Sequence, residues 1–188
     1  MDETASSIIE RETALADFDH ARDDFVDALS QVPNEALSYK PEGADYPIGG
    51  TIMQVTNSLR RYAYLLEMLR EAEFQEVRLA GDPGRALAVE GDPADAWAQD
   101  LPSVSPEETT RNRQAALDAL EAAHDRLAAQ LRDLVKEDFS RQAAIYHPGA
   151  TETSPTSGAD ILRWQTDHYR EHILQVQQML QQWQSERA

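Results

Sequence analysis

The 188-residue sequence contains no cysteine. Disulfides, thiolate nucleophiles and cysteine-based zinc sites are therefore excluded. Basic residues are scarce: 17 Lys and Arg stand against 34 Asp and Glu, a formal net charge of -17. Phosphate binding needs clustered Lys and Arg, so nucleic acid is excluded as a partner, and anionic membrane surfaces with it. No apolar run approaches the roughly 20 residues that span a bilayer. The first 15 residues lack a basic segment followed by an apolar one, so no secretory leader is expected and the location read from the sequence is cytoplasmic. Neither a phosphate-binding glycine loop nor a Ser-His-Asp arrangement is present to offer a competing chemistry. What remains is a chain of ordinary apolar content, 41%. Its length suits one domain, residues 1–188, with a substantial core.

What the chain does have is helical periodicity. A first helix is predicted from about Thr4 to Ser30, with Ile8, Arg11, Leu15, Phe18, Arg22, Phe25 and Leu29 recurring at steps of three and four. His20 falls off that seam, on the solvated side. Pro33 then stops the helix. A second begins around Pro47–Thr51 and runs to about Glu73 on the seam Ile52, Val55, Leu59, Tyr62, Leu66 and Leu69. Gln54, Ser58, Arg61 and Leu65 follow its edge. Gly49 and Gly50 weaken its first turn and would let another part of the chain approach closely.

The stretch from about Gln75 to Ser105 is broken by glycines and prolines. It reads as a surface crossover with one short helix at 94–97 that docks Trp97. Ser105, Pro106 and Glu108 form a capping box that opens a third helix to about Lys136. Leu117, Leu120, His124, Leu127, Leu131 and Leu134 make its seam. Glu137–Ser157 reads as loop, and Ser157 is positioned to cap a fourth helix, Asp160–Trp183, with Asp160 in its first turn. Its inward positions are Leu162, Gln165, Tyr169, His172, Val176, Met179 and Trp183. With no strand alternation and no repeat, four amphipathic segments predict an all-α four-helix bundle with a long crossover between helices 2 and 3.

One pair in the fourth helix points to chemistry. His168 and His172 are four residues apart, so both imidazoles lie on one helix face. That is half of a transition-metal site. Asp167 and Glu171 precede them by one residue and are expected to point elsewhere.

The segment Tyr46–Val55 resembles the opening of helix 2 in DinB-like (YfiT-like) proteins. The run His168–Gln175, a His-x-x-x-His followed by Gln, is similar to that family's helix 4 signature. Leu29–Pro33 and the His147-Pro148 pair before helix 4 fit as well. The resemblance covers essentially the whole chain. It implies a four-helix bundle, commonly a homodimer, with a divalent metal (Zn, Ni, Mn or Fe) held by one histidine of helix 2 and two of helix 4. It also implies small-molecule chemistry: metal-dependent transfer to a low-molecular-weight thiol such as bacillithiol or mycothiol, or hydrolysis. The helix 4 ligands carry over onto His168 and His172. The helix 2 histidine carries over onto Gln54, a departure. A neutral amide oxygen is a weaker ligand than imidazole. Gln54 is therefore read as a third ligand, as a group that orients bound water, or as the mark of a lost metal. His124 and His147 are the alternative imidazoles, and Arg61 is a candidate anchor for an anionic substrate. The rival reading is a non-enzymatic bundle with a degenerate metal site.

Overall fold

A computed structural model describes residues 3–79, 106–146 and 151–188. The expected short helix at 94–97, the Ser105 cap and His147 lie outside these. Four long helices form: α1 (Glu3–Ser30), α2 (Gly50–Glu71), α3 (Pro106–Arg132) and, after a short α4 (Lys136–Ser140), α5 (Gly158–Ser185). Most described positions of the seams read from periodicity are buried, with Tyr62, Leu117 and Trp183 only partly so. Phe18, Phe25 and Leu29 of α1, Ile52, Val55, Leu59, Leu66 and Leu69 of α2, and Leu127 and Leu131 of α3 meet Tyr169 and Val176 of α5 in one core. At roughly 25 cal/mol per Å² of apolar surface removed from water, that burial dominates the stability of the bundle.

Early α1 residues Glu10, Arg11 and Ala14 lie with early α5 residues Ala159, Leu162 and Arg163, so these helices run parallel. In α2, Gln54 lies by His168 and Tyr62 by Trp164, which makes α2 antiparallel to α5. Asp19 of α1 pairs with Arg132 of α3, while Asp27 lies by Gln114, so α3 is antiparallel to α1. Hence α2 and α3, successive long helices, run parallel to each other. The end of α2 and the start of α3 therefore lie at opposite ends of the bundle, in keeping with the expected crossover, of which residues 80–105 lie outside the described ones.

The arginines in the α1 seam do not enter the core. The Arg11 guanidinium donates to the Leu134 carbonyl at 2.8 Å, just past the end of α3. Conversely, Arg113 of α3 donates to the carbonyls of Leu29 and Val32 at the end of α1. Cations at helix C-termini satisfy orphan carbonyls and complement the helix dipole.

The segments expected to be irregular hold short strands, which corrects the reading of no strands and of loop throughout 137–157. β1 (Glu76–Arg78), β2 (Ala143–Tyr146) and β3 (Ser154–Thr156) form a small sheet in the order β1-β2-β3. β1 pairs parallel with β2, Val77 opposite Ile145, and β2 pairs antiparallel with β3. Val77 and Ile145 are buried against the bundle. Strands of three and four residues carry too little alternation to register as a pattern.

Two helix ends also differ. α2 stops at Glu71 because Glu73 and Phe74 adopt positive φ, 50° and 54°. The Phe74 N–H then bonds to Leu69 O at 2.8 Å and Glu73 N–H to Arg70 O at 3.1 Å, a Schellman closure without glycine. α3 ends at Arg132, short of the expected Lys136, and α4 follows. At α5 the cap is as read and more complete. The Ser157 hydroxyl accepts from Asp160 N–H at 3.2 Å, and the Asp160 carboxylate accepts from Ser157 N–H at 3.1 Å.

Candidate metal centre

The antiparallel packing of α2 on α5 sets Gln54, Ser58 and Arg61 against Trp164, Gln165 and His168 around a cavity of about 550 Å³. His172 lies next to His168, their ring centroids 4.5 Å apart and edge-on. His172 is 6% exposed, so it sits deeper than its partner. Four-residue spacing on a helix produces this adjacency directly.

The hydrogen bonds of His172 fix its tautomer. Its Nδ1 lies 2.8 Å from Gln175 Oε1, and the Tyr46 hydroxyl donates to the same oxygen at 3.0 Å. A carbonyl oxygen only accepts, so Nδ1 carries the proton and Nε2 carries the lone pair. Tyr46 reaches this position from the approach to α2 because Gly50 leaves room. A Cβ at residue 50 would come within 2.9 Å of Tyr46 Cβ.

Burial pushes the His172 pKa down to about 4, with the neighbouring His168 adding to the effect and the Gln175 bond opposing it. His168 is also pushed below the usual histidine value, first by burial. The Glu171 charge and a hydrogen bond with the backbone of Gln54 act in the other direction. Both rings are therefore neutral at neutral pH, the state in which imidazole binds metals. The His168 Nε2 is buried and has no hydrogen-bond partner. Buried polar atoms are rarely left so.

The other candidate residues separate clearly. Arg61 lines this cavity and also an adjoining one of about 260 Å³ with Leu65, Ile145 and Pro155. Asp167 and Glu171, expected to point away, line the rim of the larger cavity. His124 belongs elsewhere. It is fully buried and stacked on Phe18 at 4.1 Å, with Nδ1 3.1 Å from Tyr169 Oη and Nε2 2.9 Å from Asp19 Oδ1. Both of its nitrogens are thereby occupied. Three features escape a reading of spacing alone: the Tyr46–Gln175 clamp, the Tyr62–Trp164 wall, and Gln165. Gln165 and Tyr62 stood at seam positions, and Gln175 and Tyr46 fell in the segments that resemble the family, but none of these signals told of the contacts.

The residues can be tested against a divalent metal. No group of three His, Cys, Asp or Glu able to hold one occurs among the described residues. Two imidazoles with available lone pairs do fit, and the remaining donors must be amide oxygen or solvent. The set is a lean one, but its orphaned Nε2 is what a metal would satisfy.

The family model for the DinB superfamily matches residues 17–176. The chain belongs to the DinB superfamily. No curated protein matches it. Among solved structures, this DinB chain is similar to YfiT from Bacillus subtilis, described as a probable metal-dependent hydrolase with an unusual four-helix bundle topology. The TM-score is 0.60 at 16% identity, over 95% of this chain and 89% of that one. A likeness at that identity establishes the fold. Within this DinB bundle, α2 and α3 run parallel and α5 carries the paired histidines.

Proposed function

We propose that this DinB chain binds a divalent metal through His168 and His172 and acts on small molecules as a hydrolase or thiol transferase. The observation that carries this reading is the buried, unpartnered Nε2 of His168, one turn from a His172 whose proton is fixed on Nδ1. The description of YfiT as a probable metal-dependent hydrolase supports the same direction. The chemistry supplied by a divalent ion in such a site is Lewis-acid polarisation, which lowers the pKa of bound water or thiol.

The chain's own residues would do the rest. Gln175 and Tyr46 hold the His172 ring, and the α2 backbone at Gln54 steadies His168. Arg61, which makes no ion pair among the described residues, is the cation lining both cavities and suits the anionic group of a substrate. Trp164 and Tyr62, ring centroids 6.1 Å apart, offer an aromatic wall for its apolar part. With no cysteine in the chain, any reacting thiol must arrive with a substrate or cosubstrate.

A second reading is a non-catalytic bundle whose metal site has decayed. Gln54 at the expected histidine position favours it, as does the lack of a three-residue acidic or histidine cluster among the described residues. Metal content by mass spectrometry separates the two. Stoichiometric Zn, Ni, Mn or Fe(II) in the wild type, lost in the His168→Ala, His172→Ala double variant, is the expected result. Metal retained by the double variant would refute the site. No uptake after reconstitution with any of the four ions would establish the second reading.

A further inference from the structure

Four buried side-chain atoms among the described residues have no hydrogen-bond partner, and two of them belong to lining residues of one cavity: His168 Nε2 and Gln165 Oε1. Both are lone-pair atoms. Gln165 is only 2% exposed, so bulk solvent barely reaches it. An amide oxygen buried without a partner has given up its hydration for nothing, which explains why such groups are ordinarily satisfied. Two unsatisfied acceptors around one space call for a cation or a donor between them. Helix geometry puts the three positions on one side of α5, with 165 and 172 about 10 Å apart along the axis and 168 between them. At about 100° per residue, positions 165, 168 and 172 fall within an arc of about 60° on α5. Gln54 differs: it is only partly buried, and its link to His168 runs through its backbone.

We propose that Gln165, rather than the Gln54 side chain, supplies the third protein donor to the metal, so that α5 alone presents Gln165, His168 and His172. This rests on the metal reading above. It gives the site a physical logic that the α2 substitution had removed. One helix supplies two imidazoles and an amide oxygen, and α2 contributes a backbone hydrogen bond that side-chain replacement at 54 leaves intact. A neutral set with one hard oxygen donor would bind less tightly than three imidazoles while leaving the same number of positions to solvent and substrate.

The test is metal affinity by competition with a chromophoric chelator, together with the visible absorption spectrum of the Co(II) form. Wild type, Gln165→Leu, Gln165→Glu, Gln54→Leu and His168→Ala are compared, with thermal melts to confirm folding. Gln165→Leu is expected to weaken binding about tenfold or more and to change the Co(II) spectrum. Gln165→Glu, which adds an anionic oxygen, should tighten binding. Gln54→Leu should remain within about twofold of wild type. If Gln165→Leu binds like wild type with an unaltered spectrum while His168→Ala does not bind, the role of Gln165 is overturned and the two-histidine site stands. Should Gln165→Leu fail to fold, Gln165→Glu decides the matter, since unchanged affinity and spectrum there also overturn the proposal. A wild type that takes up none of these ions overturns the metal reading itself.

Discussion

Gln175 illustrates how one amide can govern an imidazole it does not replace. Its oxygen receives both the His172 Nδ1 proton and the Tyr46 hydroxyl. Remove it, and His172 is free to shift its proton to Nε2, the nitrogen that the proposed metal would need bare. Gln175→Leu is therefore expected to weaken metal binding by about 10- to 100-fold, the range typical of partners that orient a ligand. Tyr46→Phe should cost less, because Gln175 keeps its contact with the ring. Chelator competition measures both. Equal affinity in Gln175→Leu and wild type would show that His172 is not a ligand through Nε2. Residues of this kind are hard to recognise in a sequence. His168 and His172 announce themselves by spacing, whereas Tyr46 lies 129 positions from Gln175 and only the packing of α2 on α5 brings them together.

Among the elements, the helix ends set the boundaries and show where sequence signals are strong or silent. Ser157 and Asp160 form a reciprocal cap, and Asp160 also accepts from Gln142 at 2.8 Å. Burial alone would raise the Asp160 pKa, but the bonds from Ser157 and Gln142 hold it below its usual value. Ser157→Ala should destabilise the protein by about 1 kcal/mol in urea unfolding, the ordinary worth of an N-cap. The end of α2 is the opposite case. Glu73 occupies a left-handed conformation that costs a non-glycine residue about 1–2 kcal/mol. Glu73→Gly should raise stability by about 0.5 kcal/mol, since glycine's larger unfolded-state entropy offsets part of the relief. A measured loss of stability would mean that the Glu73 side chain contributes more than its backbone strain costs. The Ser157 cap was legible because serine before an apolar run has one common meaning. The α2 terminus was not, because no glycine marks it. The small sheet was invisible for a related reason: Val77 and Ile145 find their pairing only across 68 residues of chain.

For the molecule as a whole, the four seams made the bundle readable, since burial at three- and four-residue intervals is decided locally. The parallel course of α2 and α3 was implied by the long connection, though the helix directions come from contacts such as Asp19 with Arg132. One global property follows from burying imidazoles. His124, like His168 and His172, is held below the usual histidine pKa, first by burial, with Asp19 opposing. The unfolded chain therefore takes up protons first on acidification. The stability due to neutral burial is complete above about pH 6.5 and declines as pH falls toward the folded-state values, which for His172 is about 4. Each unit of depression is worth about 1.4 kcal/mol. In chelator-treated protein the urea midpoint should fall from pH 7.5 to 5, and His124→Gln should reduce that slope. A midpoint unchanged over this range would contradict the burial of neutral rings.

The Tyr62–Trp164 wall has a further use. Trp164 is 36% exposed, stands between two cavities, and is one of three tryptophans in the chain. Trp183 lies near the far end of α5, with Arg187 4.7 Å over its ring. A molecule entering either cavity would change the polarity around the Trp164 indole and leave the Trp183 indole alone, and a Trp97→Phe background removes the third tryptophan from the signal. Trp164 thus makes the site optically addressable without a label. Its emission should shift or quench on ligand entry, and Trp164→Phe should abolish that signal while Trp183→Phe preserves it. A library of small anions and thiols can be screened on this fluorescence alone, before any reaction has been named.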